Sequence, residues 1–258
     1  MRIFVCIKQV PDTETRIKLS ADNQKIETNG IKWVINPYDE YAIEEAIRFK
    51  EANSGAQVTA VTVGPKARVN NALLTAMAMG ADDAILVDTN EALDSLTVAK
   101  TLAAAVKAEG DFSLVYTGKL SIDENVSAAG QMLAQVLEIP HASVVSKIDY
   151  SDGNLTAERE VEGGTKETFK LTMPALVAAN KGLNKPRFAS LPGIMKAKKK
   201  PVKNVTLDEL GISMDSLKVK FTNFALPPEK PACKMIDGEP QAQVDELVRL
   251  LQDEAKVL

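Results

Sequence analysis

The sequence predicts an α/β fold: a doubly wound, mostly parallel sheet with an antiparallel extension and a C-terminal arm that ends in a helix. Three patterns carry this prediction. Short apolar runs alternate with helical periodicity over the first half of the chain, period-two alternation follows Pro140, and an amphipathic segment follows a proline-rich stretch near the end. Strands that alternate with helices favour a parallel sheet covered on both faces.

The first half contains four strand and helix pairs. Strands are predicted at 2–10, 57–64, 83–88 and 112–118, and helices at 36–53, 67–79, 93–108 and 127–137. Asn36 is the predicted N-cap of the first helix, and Pro37 suits its first turn. Asp39 and Glu40 favour the positive end of its dipole. Because such sheets bind ligands at the carboxyl ends of their strands, we expect a site after residues 10, 64, 88 and 118.

The second half has a different hydrophobic pattern. Runs at 142–151, 153–161 and 165–180 alternate apolar and polar residues and are separated by Asp152-Gly153 and Gly163-Gly164 turns, which predicts an antiparallel meander beside the parallel sheet. A basic, proline-bearing stretch occupies 184–203, a proline-rich linker 226–231, and an amphipathic helix 241–256. We therefore predict a nucleotide-binding domain over 1–225 and a linker with a partner-embracing helix over 226–258.

Composition excludes several function classes. The 258 residues include 31 Lys and Arg against 35 Asp and Glu, so a net charge of -4 offers no footprint for nucleic acid. With His141, Cys6 and Cys233 as the only His and Cys residues, no zinc-ligand spacing exists and metal catalysis is not expected. No run of about 18 apolar residues occurs, so we expect no membrane span. Two distant cysteines favour a reducing compartment and a cytoplasmic protein.

One strand end followed by a small-residue helix could bind an anion. No GxGxxG motif follows the first strand and no GxxxxGK[ST] motif occurs, which disfavours dinucleotide dehydrogenases and P-loop enzymes. The segment 117–134, TGKLSIDENVSAAGQMLA, instead places a polar loop before a helix that opens on small residues. Free N–H groups and the helix dipole there suit a phosphate. Tight packing of that helix on the sheet explains the same pattern.

The segment 189–200, ASLPGIMKAKKK, combines apolar and basic residues. A short helix with its apolar residues turned inward and a solvated basic face would explain it. The alternative is a docking loop, in which an apolar anchor binds a partner and the lysines steer an acidic surface towards it. The candidate docking residues are Leu191, Pro192, Ile194 and Met195.

Four segments carry a family resemblance that runs over nearly the whole chain. They are VCIKQVPD, NPYDEYAIEEAIRFKE, TAMAMGAD and GKLSIDENVSAAGQM, and AEREVEGGTKETFKLTMPALVAA matches the family's signature region. The chain resembles the β subunit of electron transfer flavoprotein, and LPGIMKAKKK is close to that family's recognition loop. The resemblance implies a Rossmann-like sheet of the adenine nucleotide α-hydrolase type.

The resemblance also implies partners and cofactors. An α subunit completes a heterodimer and holds most of one FAD, which relays electrons from dehydrogenases such as the acyl-CoA dehydrogenases of fatty acid β-oxidation to electron transfer flavoprotein–quinone oxidoreductase. The chain's own task is then electron carriage without catalytic residues. The β subunit binds AMP structurally. By position, the implied AMP contacts lie at strand ends and around the helix start: Cys6, Asn36, Pro37, Tyr38, Asp39, Val63, Asp123, Glu124, Asn125, Val126, Ser127, Ala128, Ala129, Gly130, Gln131, Met132, Leu133 and Ala134.

Two alternatives stay open. Electron-bifurcating members of the family bind a second FAD in place of AMP and oxidise NADH. They tend to carry an Asp-Thr-Trp-Ala-Thr-like run where this chain has LDSLTVA at 93–99, without a Trp, which favours AMP. A more distant alternative is a stand-alone adenine-nucleotide-binding α/β protein, although a hydrolase would need a phosphate loop or metal carboxylates that the sequence lacks.

Overall fold

A computed structural model describes residues 1–230 and 232–258; Pro231, the last residue of the predicted linker, lies outside the described residues. Within those ranges the strands are β1 Arg2–Cys6, β2 Gln9–Pro11, β3 Trp33–Ile35, β4 Gln57–Gly64, β5 Asp83–Asp88, β6 Leu114–Gly118, β7 His141–Ser151, β8 Asn154–Glu160, β9 Lys166–Thr172, β10 Ala175–Ala179 and β11 Lys203–Thr206. Nine of them form the main sheet in the order β11-β5-β4-β1-β6-β10-β7-β8-β9, and β2 pairs with β3 in a separate antiparallel ribbon.

The helices are α1 Pro37–Ala52, α2 Lys66–Met79, α3 Ser95–Lys107, α4 Ala129–Leu137, α5 Leu191–Ala197 and α6 Pro240–Arg249. The first four cover the two faces of the sheet. Ile43 of α1 and Leu73 of α2 belong to one buried apolar cluster, and Val106 of α3 and Leu133 of α4 belong to another. The two clusters confirm the doubly wound prediction, because each face of the sheet has its own apolar core.

The chain order places a topological switch at β1. β4 and β5 follow on one side of β1, whereas β6 lies on its other side, and all of these pairings are parallel. Ligands of doubly wound sheets bind in the crevice outside the carboxyl ends of the strands at such a switch. The fold therefore draws attention to the edge formed by the ends of β4, β1 and β6.

The predicted meander is only partly antiparallel. β7, β8 and β9 do pair antiparallel, but β10 lies between β6 and β7 and is parallel to both. All five residues of β10, Ala-Leu-Val-Ala-Ala, are buried. A strand without polar alternation suits the centre of a sheet that is covered on both faces, whereas the alternating residues before it suit a half-exposed ribbon.

The predicted first strand, 2–10, is two strands. The interruption falls at Lys8, whose N–H donates to Asp39 Oδ2 at 2.7 Å and whose carbonyl accepts from the N–H of Asn36 at 2.9 Å. Both main-chain groups of Lys8 are therefore hydrogen-bonded to residues at the start of α1, and not to a neighbouring strand. Afterwards the chain turns into β2, which pairs with the unpredicted strand β3.

The chain divides into two units. The first comprises Met1–Arg16 and Glu27–Thr222, and the second Ile17–Ile26 and Asn223–Leu258. In the second unit, the N–H of Phe224 donates to the carbonyl of Asn23 at 2.8 Å. Its helix α6 ends in a π-helical turn over Leu250–Glu254, so the predicted α-helix 241–256 is shorter than expected. No helix in the described ranges is long and apolar enough to cross a lipid bilayer.

Candidate functional site

The candidate nucleotide site lies where β1, β4 and β6 end. Cys6 is the last residue of β1, and Val63 is the last but one of β4, the neighbouring parallel strand. The Cys6 side chain is buried, and burial, with a smaller contribution from Asp39, raises the pKa of its thiol to about 12. Cys6 therefore contributes a neutral, apolar side chain to this edge and is not a thiolate nucleophile.

Asp39 joins three segments at this edge. Its Oδ1 accepts from the N–H of Gly118 at 3.0 Å and from Asn36 Nδ2 at 2.9 Å, and its Oδ2 accepts from the N–H of Lys8 at 2.7 Å. Only 5% of Asp39 is exposed. Burial raises the pKa of its carboxyl to about 7, although all three N–H donors lower it. The carboxyl is thus engaged inside the protein and ties the start of α1 to the ends of β1 and β6.

Asn36 stands at the predicted N-cap position, but its side chain does not cap α1. Its Nδ2 donates to the carbonyl of Leu120 at 2.8 Å, and its Oδ1 accepts from the N–H of Ile122 at 3.2 Å. Asn36 therefore fixes the loop after β6. The sequence does not distinguish these roles, because an amide side chain before a helix can either cap that helix or bind the main chain of a neighbouring loop.

The start of α4 holds two unpartnered polar atoms. Thr117 Oγ1 and Gln131 Oε1 are buried and have no hydrogen-bond partner among the described residues. A Cβ on Gly130 would come within 2.8 Å of Thr117 Oγ1, so only glycine lets the helix approach the end of β6 this closely. No described side chain caps α4, whose first N–H groups point out of the helix. Buried polar atoms without partners are rare and call for an explanation such as a bound group.

The charged loop between β6 and α4 forms the rim of the candidate nucleotide site. Lys8 Nζ lies 2.9 Å from Asp123 Oδ2 and 3.4 Å from Glu124 Oε1. The single positive charge of Lys8 faces two carboxylates, so these side chains keep a net negative charge that repels a phosphate. Any contact of residues 123 and 124 with a phosphate would have to come from the main chain. Asn125 and Ser127 both have φ of 54°, a left-handed conformation that turns the loop into α4.

The other predicted nucleotide contacts fall into two groups. Leu133 and Ala134 are fully buried core residues whose side chains pack in the cluster on the α3 and α4 face. The remainder lie at the surface or partly buried around the two helix starts, and their role stays a prediction: Pro37, Tyr38, Val126, Ala128, Ala129 and Met132.

Sequence reasoning missed three contributors at this edge. Lys8 pairs with the rim loop, Thr117 offers the orphaned hydroxyl, and Arg68, at the start of α2, stacks its guanidinium 4.1 Å from the ring centroid of Trp33. A threonine at the end of a strand carries no specific signal, so the sequence does not single out Thr117. The Arg68 and Trp33 pair joins residues far apart in sequence, so no local pattern predicts it.

The candidate docking residues form a short exposed helix. Leu191 is 74% exposed and Met195 62% exposed, and Ile194 and Pro192 are also exposed; only Ala197 of α5 is buried. The expectation of a short helix is confirmed, but its apolar side chains point outward rather than inward. Phe188, which sequence reasoning did not select, precedes this helix and is 95% exposed.

Helix α5 is anchored to the body beneath it. Ser190 Oγ accepts from the N–H of Gly193 at 3.1 Å and caps the helix. A Cβ on Gly193 would come within 2.5 Å of the carbonyl oxygen of Ala78, so the helix rests directly on the end of α2. Beyond it, Lys200 Nζ donates to the carbonyls of Ala81 and Asp82 at 3.1 and 2.8 Å. Exposed apolar residues on a fixed support are typical of an interaction site.

Other features carry no comparable chemistry. In the described part of the chain, no three His, Cys, Asp or Glu side chains are grouped closely enough to hold a metal ion. A cleft of about 440 Å³, lined by Arg2, Gln57 and Phe112 among others, lies at the amino ends of the strands, on the opposite edge of the sheet.

The chain is similar to known proteins over its whole length. A family model described as "Electron transfer flavoprotein domain" matches residues 24–210. The chain is 43% identical over 263 residues to "Electron transfer flavoprotein subunit beta" of Bacillus subtilis, with all of both chains covered. It is 38% identical over 260 residues to the mitochondrial protein of that name from Arabidopsis thaliana, again with full coverage of both. For the Mus musculus protein the identity is 37% over 236 residues, covering 90% of this chain and 91% of the mouse chain.

Proposed function

Because this chain belongs to the electron transfer flavoprotein β-subunit family, we propose that it pairs with an α subunit, binds AMP and docks flavin-dependent dehydrogenases such as acyl-CoA dehydrogenases. FAD held mainly by the α subunit then relays the electrons to a quinone reductase. The observation that carries this proposal is the anchored helix α5, which exposes Leu191 and Met195 beside a basic stretch. An electron carrier needs a partner-binding surface and no catalytic residues of its own.

An adenine nucleotide fits the edge formed by β1, β4 and β6. The buried, unpartnered Thr117 Oγ1 and Gln131 Oε1 offer a donor and an acceptor, and the N–H groups at the start of α4 suit a phosphate. Gly130 lets the start of α4 lie close to Thr117. Asp39 and Asn36 act through the main chain of the loop that they hold.

The chain's part in electron transfer is to bind and orient. Flavin, when bound, accepts electrons from the dehydrogenase and passes them to the next carrier. In the proposed complex, Leu191 anchors the dehydrogenase, while the exposed amines of Lys196, Lys198 and Lys199 favour an acidic surface around it.

Helix α6 supports the proposed heterodimer. None of its residues is buried, and Val244 and Leu247 expose their apolar side chains on it. An isolated amphipathic helix of this length is marginal in water and is stabilised by packing its apolar side against a surface. We propose that the α subunit supplies that surface.

The bound nucleotides separate the two branches of the family. We expect heterodimer purified without added nucleotide to release one FAD and one AMP per αβ pair on denaturation, measured by absorbance and chromatography of the supernatant. Two FAD and no AMP would contradict the AMP assignment and assign the chain to the bifurcating alternative. A chain that purifies alone, without flavin or α subunit, would contradict the proposal as a whole.

Replacing Thr117 with valine tests the nucleotide site. Thr117→Val removes the unpartnered hydroxyl with almost no change in shape, so we expect AMP to bind the nucleotide-free heterodimer about fivefold to tenfold more weakly, as measured by calorimetry. The matched control is Thr101→Val in α3, whose hydroxyl already donates to the carbonyl of Thr97 at 2.8 Å. Equal AMP affinity in wild type and Thr117→Val would contradict the assignment of this hydroxyl.

A further inference from the structure

Residues 184–190, here called the docking segment, lead into α5, and Arg187 holds this segment against α1. Its Nε and Nη2 donate to the Glu44 carboxylate at 2.8 and 3.1 Å, and its own N–H donates to the same carboxylate at 3.1 Å. Its Nη1 and Nη2 also donate to Glu51 at 2.6 and 3.0 Å. Glu44 and Glu51 lie two turns apart on α1, so both face the same side of the helix.

A second contact ties this segment to the core. Asn184 Nδ2 donates to the carbonyl of Tyr41 and to Glu45 Oε2, both at 3.0 Å. Glu45 Oε1 accepts from the hydroxyl of Tyr150 at 3.0 Å, and that hydroxyl lies 2.6 Å from the hydroxyl of Tyr116. Tyr116 is fully buried in β6. The start of the docking segment is therefore joined to the centre of the sheet.

These contacts differ from an ordinary surface ion pair. The Glu44 side chain is only 7% exposed, and it receives three hydrogen bonds from one residue. Arginine–carboxylate contacts with several hydrogen bonds fix geometry as well as adding energy. Because only three residues separate Arg187 from Leu191, the Arg187 contacts restrain the chain directly before the helix that carries Leu191.

We propose that Arg187 is a positioning residue for dehydrogenase docking: held by Glu44 and Glu51, it fixes the segment so that α5 presents Leu191 in a binding-ready orientation. The inference rests on the proposed docking function of α5. Without Arg187 the segment would have to be ordered each time a partner binds, and that ordering weakens association. Electron transfer within an assembled complex would not change.

The test compares KM and kcat in the αβ heterodimer, used as the substrate of an acyl-CoA dehydrogenase. For Arg187→Met we expect KM for the heterodimer to rise about tenfold with kcat unchanged. Because this variant leaves Glu44 buried without its partner, Arg187→Met with Glu44→Gln is measured beside it. The matched control is Arg159→Met, since Arg159 is held by Glu167 at 2.8 Å between β8 and β9 and its side chain is exposed to a similar extent.

Coupling to Leu191 separates positioning from general destabilisation. In a Leu191→Ala background, we expect Arg187→Met with Glu44→Gln to have little further effect on KM, because the side chain that it orients is gone. Additive effects, a fall in kcat at constant KM, or the same change in Arg159→Met would overturn the inference. If Leu191→Ala impairs transfer while both Arg187 variants keep wild-type KM, only this inference fails. If Leu191→Ala has no effect, the proposed docking function fails as well.

Discussion

Leu191→Ala is expected to slow electron transfer from the dehydrogenase about thirtyfold in kcat/KM, as measured by dehydrogenase-driven reduction of the heterodimer. The estimate follows from the size of an anchor contact, because truncating a buried apolar anchor at an interface typically costs about 2 kcal/mol. In this chain Leu191 has little to lose in the fold itself, since 74% of it is exposed. Truncating Leu191 should therefore weaken docking without lowering the free energy of unfolding.

A matched control distinguishes docking from a general loss of surface. Val219 is also largely exposed, and its N–H is held by Asp94 at the start of α3, on the other face of the sheet. Val219→Ala should keep wild-type kcat/KM. Flavin content and heterodimer formation should be unchanged in both variants. A less than twofold effect of Leu191→Ala would show that α5 is not the docking anchor.

The lysines beside α5 provide an internal check on the same variant. Lys196, Lys198 and Lys199 remain in Leu191→Ala, so long-range attraction to an acidic partner should persist. Charges at the rim of an interface mainly set the rate of encounter and its salt dependence, whereas a buried anchor sets how long the complex lasts. The variant should therefore keep the wild-type slope of rate against ionic strength.

The periodic parts of the fold could be predicted from the sequence. The strands 57–64 and 83–88 match β4 and β5, and the helices of the first half agree with α1 to α4 within about two residues at each end. These elements are long and alternate regularly, so local pattern and global fold agree. The position of β10 could not be predicted, because five buried residues do not say which neighbours cover them.

The candidate site was predictable in place but not in detail. A small-residue helix start after a strand is a local feature, and the structure adds unpartnered polar atoms there. The role of Asp39 was hidden because an acidic residue in the first turn of a helix has an ordinary explanation in the helix dipole. Only the three-dimensional path of the chain shows that the N–H groups of Lys8 and Gly118 converge on this carboxyl.

Asp39 is expected to make the free energy of unfolding fall as the pH rises from about 4 to about 7. Burial raises the pKa of its carboxyl from 3.8 to about 7. Between these values the folded chain holds a proton that the unfolded chain has released, so raising the pH favours unfolding, and the effect levels off above about 7. The size of this contribution is about 4 kcal/mol at most.

Asp39→Asn separates this effect from the rest of the chain. The amide stays neutral at every pH, and it costs stability by a constant amount because its NH2 group faces main-chain donors. Between pH 5 and pH 8, about two pKa units of this shift are crossed, so we expect the variant to gain up to about 2.7 kcal/mol relative to wild type. Urea unfolding followed by the fluorescence of Trp33, the sole tryptophan, measures both proteins in the unit that contains Asp39.

The control carboxylate is Asp94, which accepts the N–H groups of Thr97, Lys218 and Val219 at 2.8, 2.6 and 3.0 Å. Burial raises the pKa of Asp94, but these hydrogen bonds outweigh it and bring the pKa down to about 2. Because this carboxyl is ionised in the folded and the unfolded chain at pH 5 and at pH 8, Asp94→Asn should differ from wild type by the same amount at both pH values. If Asp39→Asn also kept a constant difference, the three N–H donors would have compensated for burial, and the carboxylate would be ionised throughout this range. The two outcomes decide whether the ends of β1 and β6 are held by a charged group near neutral pH or by one that is partly protonated there.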